Sequence, residues 1–173
     1  MYFLTADVGY GVLEPLQKKM GDRFINVGIA EQSMISIASG LALAGKEVYT
    51  FTMCAFYLKC IEAIKLDLCY QDVPVTMIGV GVGVEYEYLG TTHFALADDK
   101  IMEQLLNIDV MTAYDKDQLK EILKHKAKRP RYIRISRFDE VRESSDITFR
   151  EYPECGGNLN YFKEKYAHSK QKE

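Results

Sequence analysis

The chain has 173 residues, a length that suits one domain with a substantial core. Hydrophobic residues make up 47% and charged residues 27%, and the net charge of −3 offers neither a basic field for nucleic acid nor a polybasic membrane anchor. No apolar run is long enough to span a bilayer and no charged-then-apolar leader opens the chain, so a cytoplasmic location is expected.

Residues 2–6, Tyr-Phe-Leu-Thr-Ala, read as a buried strand, and Asp7 to Gly11 as the loop that follows it. A helix is expected over about 12–20, stopped by Gly21 and Asp22. The apolar run 23–27 meets Gly28. A helical pattern then begins, with Ile29, Met34, Ile37, Ala38, Leu41 and Ala42 returning to one face until Gly45. Residues 47–51 read as the next strand. A long helix fits 54–70, with Tyr57, Ile61, Ile64 and Leu68 on one side. Residues 74–80 form an apolar strand of the kind found in parallel sheets covered on both faces. A Gly/Tyr/Glu loop over 81–92 leads to a helix at 98–107, a strand at 108–113, a helix at 115–126 capped by Asp115, and a last strand at 131–135.

Strands alternate with helices, which predicts an α/β fold with a mostly parallel sheet flanked by helices. Ligands in such folds bind at the carboxyl ends of the strands. Asp7, Gly28, Thr52, Gly81 and Ser136 all follow strands, so the loops that carry chemistry should converge on one edge. The expected domain is 1–137. Beyond it the composition turns polar, so 138–173 reads as a C-terminal tail or the remnant of a next domain, with one short helix near 159–166. Cys54, Cys60, Cys69 and Cys155 form no Cys-x-x-Cys pair and are expected to be reduced thiols.

The segment Asn26-Val27-Gly28-Ile29-Ala30-Glu31-Gln32 places one carboxylate among aliphatic neighbours in the first turn of a helix. The helix macrodipole alone favours a Glu there. The words themselves resemble the segment that carries the cofactor-activating glutamate of transketolases and deoxyxylulose-phosphate synthases, both thiamine diphosphate enzymes. The resemblance implies the thiamine diphosphate-binding fold, and within it the pyrimidine-binding domain. It also implies that the Glu31 carboxyl bonds the pyrimidine N1′ and drives the 4′-amino group to the imino form that removes the thiazolium proton.

Further words agree. Ala6-Asp7-Val8-Gly9 is similar to the transketolase segment that passes under the cofactor rings, so Asp7 and Val8 are expected to bind the cofactor. Phe56 falls where these families stack an aromatic ring on the aminopyrimidine. A Phe in a helix is otherwise a core residue. Gly90-Thr91-Thr92-His93 resembles the Gly-Pro-Thr-His of transketolases, which makes His93 a catalytic, substrate-facing residue. His125 and His168 lie in Lys-rich segments and read as solvated. Asp98 and Met102 continue the family's acidic residue and helix after the His. Arg137 matches an arginine that meets the sugar phosphate, a role suited to its fork of donors. It also fits a solvated position after a strand, and Arg134 stands close enough to exchange roles with it.

The resemblance spans about residues 4–137, which corresponds to the pyrimidine-binding domain alone. The Gly-Asp-Gly motif that holds Mg²⁺ on the diphosphate is absent, so no metal ligand is assigned, and Mg²⁺ ligands are expected on a partner subunit. The expectation is the pyrimidine-binding subunit of a split transketolase-like enzyme that moves a two-carbon ketol unit between phosphorylated or nucleotide-linked sugars. It would work only with a diphosphate-binding partner, with self-association into a homodimer as a further option. The β component of a 2-oxo acid dehydrogenase and a non-catalytic interaction subunit or truncated remnant are the alternatives.

Overall fold

A computed structural model describes residues 1–136. The expectations for Arg137, Cys155 and the 138–173 segment with its short helix lie outside the described residues.

Six strands, β1 (Tyr2–Thr5), β2 (Phe24–Asn26), β3 (Val48–Met53), β4 (Val75–Val80), β5 (Asp109–Ala113) and β6 (Arg131–Ile135), form one sheet. Their order is β2-β1-β3-β4-β6-β5, and every neighbouring pair is parallel. The register aligns Leu4 with Thr50, Thr50 with Met77 and Met77 with Tyr132 in one row across the sheet. Because side chains alternate along a strand, the next row faces the other way. Leu4, Met77 and Tyr132 pack with Met34, Ile35 and Ala38 of α2 (Glu31–Leu43). Phe3, Phe51 and Ile78 pack with Met20 of α1 (Glu14–Met20). Both faces are thereby covered, which is why β4 tolerates an almost unbroken apolar run.

The buried stripe of α2 is Met34, Ile35, Ala38 and Ala42, at helical spacing. The helix starts later than the apolar pattern suggested: Ile29 precedes it and is 81% exposed, and Ile37 turns outward.

The single helix expected over 54–70 is divided. It runs as α3 (Cys54–Tyr57), a 3-10 turn (Leu58–Cys60), α4 (Ile61–Ala63) and a π-helical turn (Ile64–Cys69). The breaks coincide with side-chain donors from α2 that take backbone carbonyls. Gln32 Nε2 donates to the Lys59 carbonyl at 2.7 Å, and Ser39 Oγ donates to the Asp67 carbonyl at 2.8 Å. Such insertions into the carbonyl ladder are an ordinary cause of helix irregularity. The inward face holds regardless, with Tyr57, Ile64 and Leu68 fully buried.

After the Gly81 loop come α5 (Asp98–Met102) and α6 (Lys116–Leu123). Asp115 caps α6 as expected, accepting from the Asp117 and Gln118 amides at 2.9 and 2.8 Å. α5 ends at Met102, five residues short of the expected Asn107.

One position in β4 leaves no room for a side chain. A Cβ on Gly79 would lie 2.8 Å from Cys54 Sγ and 2.9 Å from Tyr132 Oη. Gly79→Ala is therefore expected to destabilise the chain by roughly 1–3 kcal/mol in urea denaturation, the usual cost of overpacking. An unchanged midpoint would mean that α3 can draw away from the sheet.

Candidate active site

The chain leaves β1 for β2 on one side and reaches β3 on the other, so the strand order reverses at β1 and β3. A crevice at the carboxyl ends of such strands is where open α/β sheets bind ligands. The loops after β1, β2, β3 and β4 all end there.

The turn after β2 is organised by Asn26. Its Oδ1 accepts from the Asp7 amide at 3.1 Å and the Gly28 amide at 2.9 Å, and its Nδ2 donates to Asp7 Oδ1 at 3.3 Å. Asp7 and Gly28 sit in the left-handed region, with φ of 56° and 73°. Gly takes that conformation without strain, and Asp is among the few others that visit it. Tyr10 also donates to Asp7 Oδ1. The turn delivers Glu31 into the first turn of α2, where Ala30 supplies no side-chain cap and the dipole favours a carboxylate. Glu31 is buried, at 4% exposure.

Glu31 belongs to a chain of contacts. Lys59 Nζ lies 2.9 Å from Glu31 Oε2 and 5.1 Å from the centroid of the Phe56 ring. The His93 ring meets Phe56 edge-on, with centroids 5.3 Å apart and planes at 61°. Thr92 Oγ1 and His93 Nδ1 are 3.0 Å apart. The structure thus gathers Glu31, Phe56 and His93 and ties Asp7 to the same corner through Asn26. A buried carboxylate, an aromatic face and an imidazole can bond a heterocycle edge, stack on its plane and bond a second group beyond it.

The described thiols are inert. Burial, and then the charge of Glu31, push Cys60 up to about 12. Burial, and then Asp98, do the same for Cys54, also to about 12. Cys69 is raised to about 11, chiefly by burial. At neutral pH none is a thiolate, the form that acts as nucleophile or metal ligand. Among the described residues no group of three or more His, Cys, Asp or Glu is placed to hold a metal ion.

Behind the His93 loop lies a buried lock. Arg134 is 2% exposed and Asp98 fully buried. Arg134 Nε and Nη2 donate to the two Asp98 oxygens at 2.8 and 3.0 Å, Nη1 reaches Asp99 at 3.2 Å, and Nη2 reaches the Ala95 carbonyl at 3.3 Å. Tyr132 Oη donates to Asp98 at 2.7 Å. Burial alone would lower the Arg134 guanidinium, but Asp98 and then Asp99 hold it above its ordinary value. Arg134 cannot exchange roles with Arg137, because its fork is spent on Asp98 and Asp99 inside the protein.

Residues 1–139 match the model of the family described as transketolase, pyrimidine binding domain. The chain belongs to the transketolase pyrimidine-binding domain family. Among its relatives is an apulose-4-phosphate transketolase subunit from Phocaeicola vulgatus, 32% identical over 152 residues that cover 84% of this chain and 49% of that protein. Another is the 6-deoxy-6-sulfo-D-fructose transketolase subunit SqwH of a Clostridium species, 34% identical over 134 residues, covering 75% and 41%. A solved structure described as a split gene transketolase, inactive beta4 tetramer, superposes with a TM-score of 0.66 at 29% identity, covering 79% of this chain and 45% of that one. The chain spans about half or less of each relative's length.

Within this transketolase domain Val8 is partly buried and packs against the cluster of Phe3, Met20, Phe51 and Ile78, and its carbonyl accepts from Thr5 Oγ1 at 2.8 Å. The sequence alone marked neither Asn26 nor Lys59 as a site residue, and it did not reveal the buried pairing of Arg134. Asn26 was visible as the polar start of the Asn-Val-Gly word. Lys59 follows Phe56 by three, a spacing that brings two side chains onto one side of a helical turn. Arg134 gave no such signal, since its partner Asp98 lies 36 residues away.

Proposed function

We propose that this chain is the pyrimidine-binding subunit of a split thiamine diphosphate-dependent transketolase, which moves a two-carbon ketol unit between sugars. The observation that carries the reading is the buried Glu31 carboxylate joined through Lys59 to the Phe56 ring. An aminopyrimidine offers a ring nitrogen for a carboxyl and a flat face for an aromatic ring, so these donors and surfaces fit it. When bound, the cofactor supplies nucleophilic carbon chemistry at its thiazolium. Glu31 would hold the proton shared with N1′, Phe56 would stack on the ring, and Asp7 and Val8 would line its passage. His93, fixed beyond Phe56, faces the substrate, and Arg137 binds its phosphate. Two relatives are named for sugars bearing a phosphate or sulfo group, which supports an anionic sugar, phosphorylated or nucleotide-linked, as the substrate class. The transketolase relatives favour this reading over the β component of a 2-oxo acid dehydrogenase.

The diphosphate and its Mg²⁺ are assigned to a partner subunit. Ile29, Tyr10, Val12 and Tyr88, at 81%, 74%, 70% and 67% exposure, lie on the loops at the carboxyl ends of the strands. A partner covering that apolar rim would complete the site and form a hetero-oligomer. The solved relative described as inactive is a tetramer of its β chain, which supports a subunit that does not work alone. A cytoplasmic location is part of the proposal, and no described helix is long and apolar enough to cross a membrane.

Calorimetry tests the half-site directly. The purified chain is expected to bind thiamine diphosphate and Mg²⁺ more weakly than ~100 μM, since stacking and one hydrogen bond supply only a few kcal/mol. It should show no ketol transfer until the partner is added. Tight, metal-dependent binding by the chain alone would overturn the division of the site.

A further inference from the structure

Lys59 holds an unexpected position. Its ammonium lies 2.9 Å from Glu31 Oε2 and 5.1 Å from the centre of the Phe56 ring. These are the two features that recognise an aminopyrimidine under the reading above: one carboxylate edge and one aromatic face. Glu31 is 4% exposed and Lys59 52% exposed, so the lysine is the outer member of the pair. A ligand arriving from solvent at Glu31 meets the lysine first.

We infer that Lys59 is an intrachain plug of the pyrimidine subsite, an internal cation that occupies the carboxylate and ring of the ligand-free domain and must swing away for the heterocycle to bind. The inference rests on the pyrimidine-site reading and adds a residue that sets the subsite's affinity and its response to salt.

The physical chemistry favours a plug that can be released. A lysine has a long flexible stem and a compact, strongly hydrated head. Half exposed, the lysine head regains its own hydration when it swings out, and the buried carboxylate it leaves is met by the incoming heterocycle. The lysine's ring contact is of modest strength at an exposed site. The backbone beneath it is fixed, because the Lys59 carbonyl accepts from Gln32 Nε2 at 2.7 Å. Release is therefore a side-chain motion. Glu31, by contrast, is held in the buried first turn of α2 and keeps its place.

The test uses the full chain in mildly alkaline buffer, where the probe 4-amino-2-methylpyrimidine is uncharged; the probe has neither the thiazolium charge nor the diphosphate. Affinity is followed by NMR titration. Lys59→Met should bind the probe roughly 5–20-fold more tightly than the unmodified chain, from loss of one half-exposed ion pair and one cation–ring contact. Added salt should tighten binding to the unmodified chain and leave Lys59→Met unchanged, because salt screens the competing pair. Lys100→Met, which removes a surface lysine paired with Glu103, controls for net charge and should change nothing. In a Glu31→Gln background the gain from Lys59→Met should shrink.

A second measurement needs no ligand: the amine-labelling rate at Lys59, relative to Lys100, should rise in Glu31→Gln. No rise means that the pair does not form in solution and overturns the plug. Unchanged or weaker probe binding in Lys59→Met also overturns it, the latter making Lys59 a support of the subsite. A probe that binds none of the proteins, while labelling still reports the pair, overturns the pyrimidine-site reading and the plug with it.

Discussion

Glu31→Gln is expected to lower ketol transfer by roughly two to four orders of magnitude in the assembled enzyme, the span usual for a lost general acid–base group. Gln keeps the shape and a hydrogen-bonding edge but cannot hold and return a proton at N1′. The protein should remain folded. Lys59, the charged partner left behind, is 52% exposed and can turn to water, so the buried side loses little. Steady-state rates with the partner subunit present, beside a thermal melt of the variant, separate the two effects. Turnover near that of the unmodified enzyme would remove Glu31 from the proton path.

The largest expected effect on stability lies at the lock behind the His93 loop. Arg134→Met keeps the length and apolar body of the side chain but strands the Asp98 carboxylate, which is fully buried. Removing one partner of a buried ion pair costs about 3–5 kcal/mol. Tyr132 still donates to Asp98, which tempers the loss without cancelling it. Replacing both charges, Arg134→Met with Asp98→Leu, should recover much of the stability, because the pair itself was costly to bury. The Tyr132 hydroxyl then keeps only the weak Cys54 thiol as partner, which costs part of the about 1–3 kcal/mol of an unsatisfied buried group. Urea denaturation of the single and double variants checks this. A single variant within ~1 kcal/mol of the unmodified chain would show that water reaches Asp98.

The fold was legible wherever burial leaves a regular pattern. Residues 75–80 are apolar on both sides because the strand is covered on both faces, and the sequence displays that directly. Asp115 was legible as a cap because its partners are two and three residues away. The division of 54–69 was hidden, since the donors that break it, Gln32 and Ser39, belong to another helix. Glu31, Phe56 and His93 were singled out through short words that resemble a family. Their mutual geometry, and the lysine between the first two, depend on how α2 and α3 meet. The Asp98–Arg134 pair depends on β6 lying beside β4, a register that no local pattern announces.

The place of β6 has a consequence for the order of assembly. It is the last described strand along the chain, yet it lies inside the sheet, between β4 and β5. Until it arrives β5 has no neighbour, and Asp98 waits without its arginine. Every strand pair is parallel, so no hairpin can nucleate locally and each pairing must close a long loop, which makes such sheets slow to form. A chain emerging from the ribosome can dock β1 to β4 while residues 81–130 remain unfastened. His93 would then be among the last residues to be set in place. Proteolysis during refolding should cut near it first, before β6 inserts and closes the sheet.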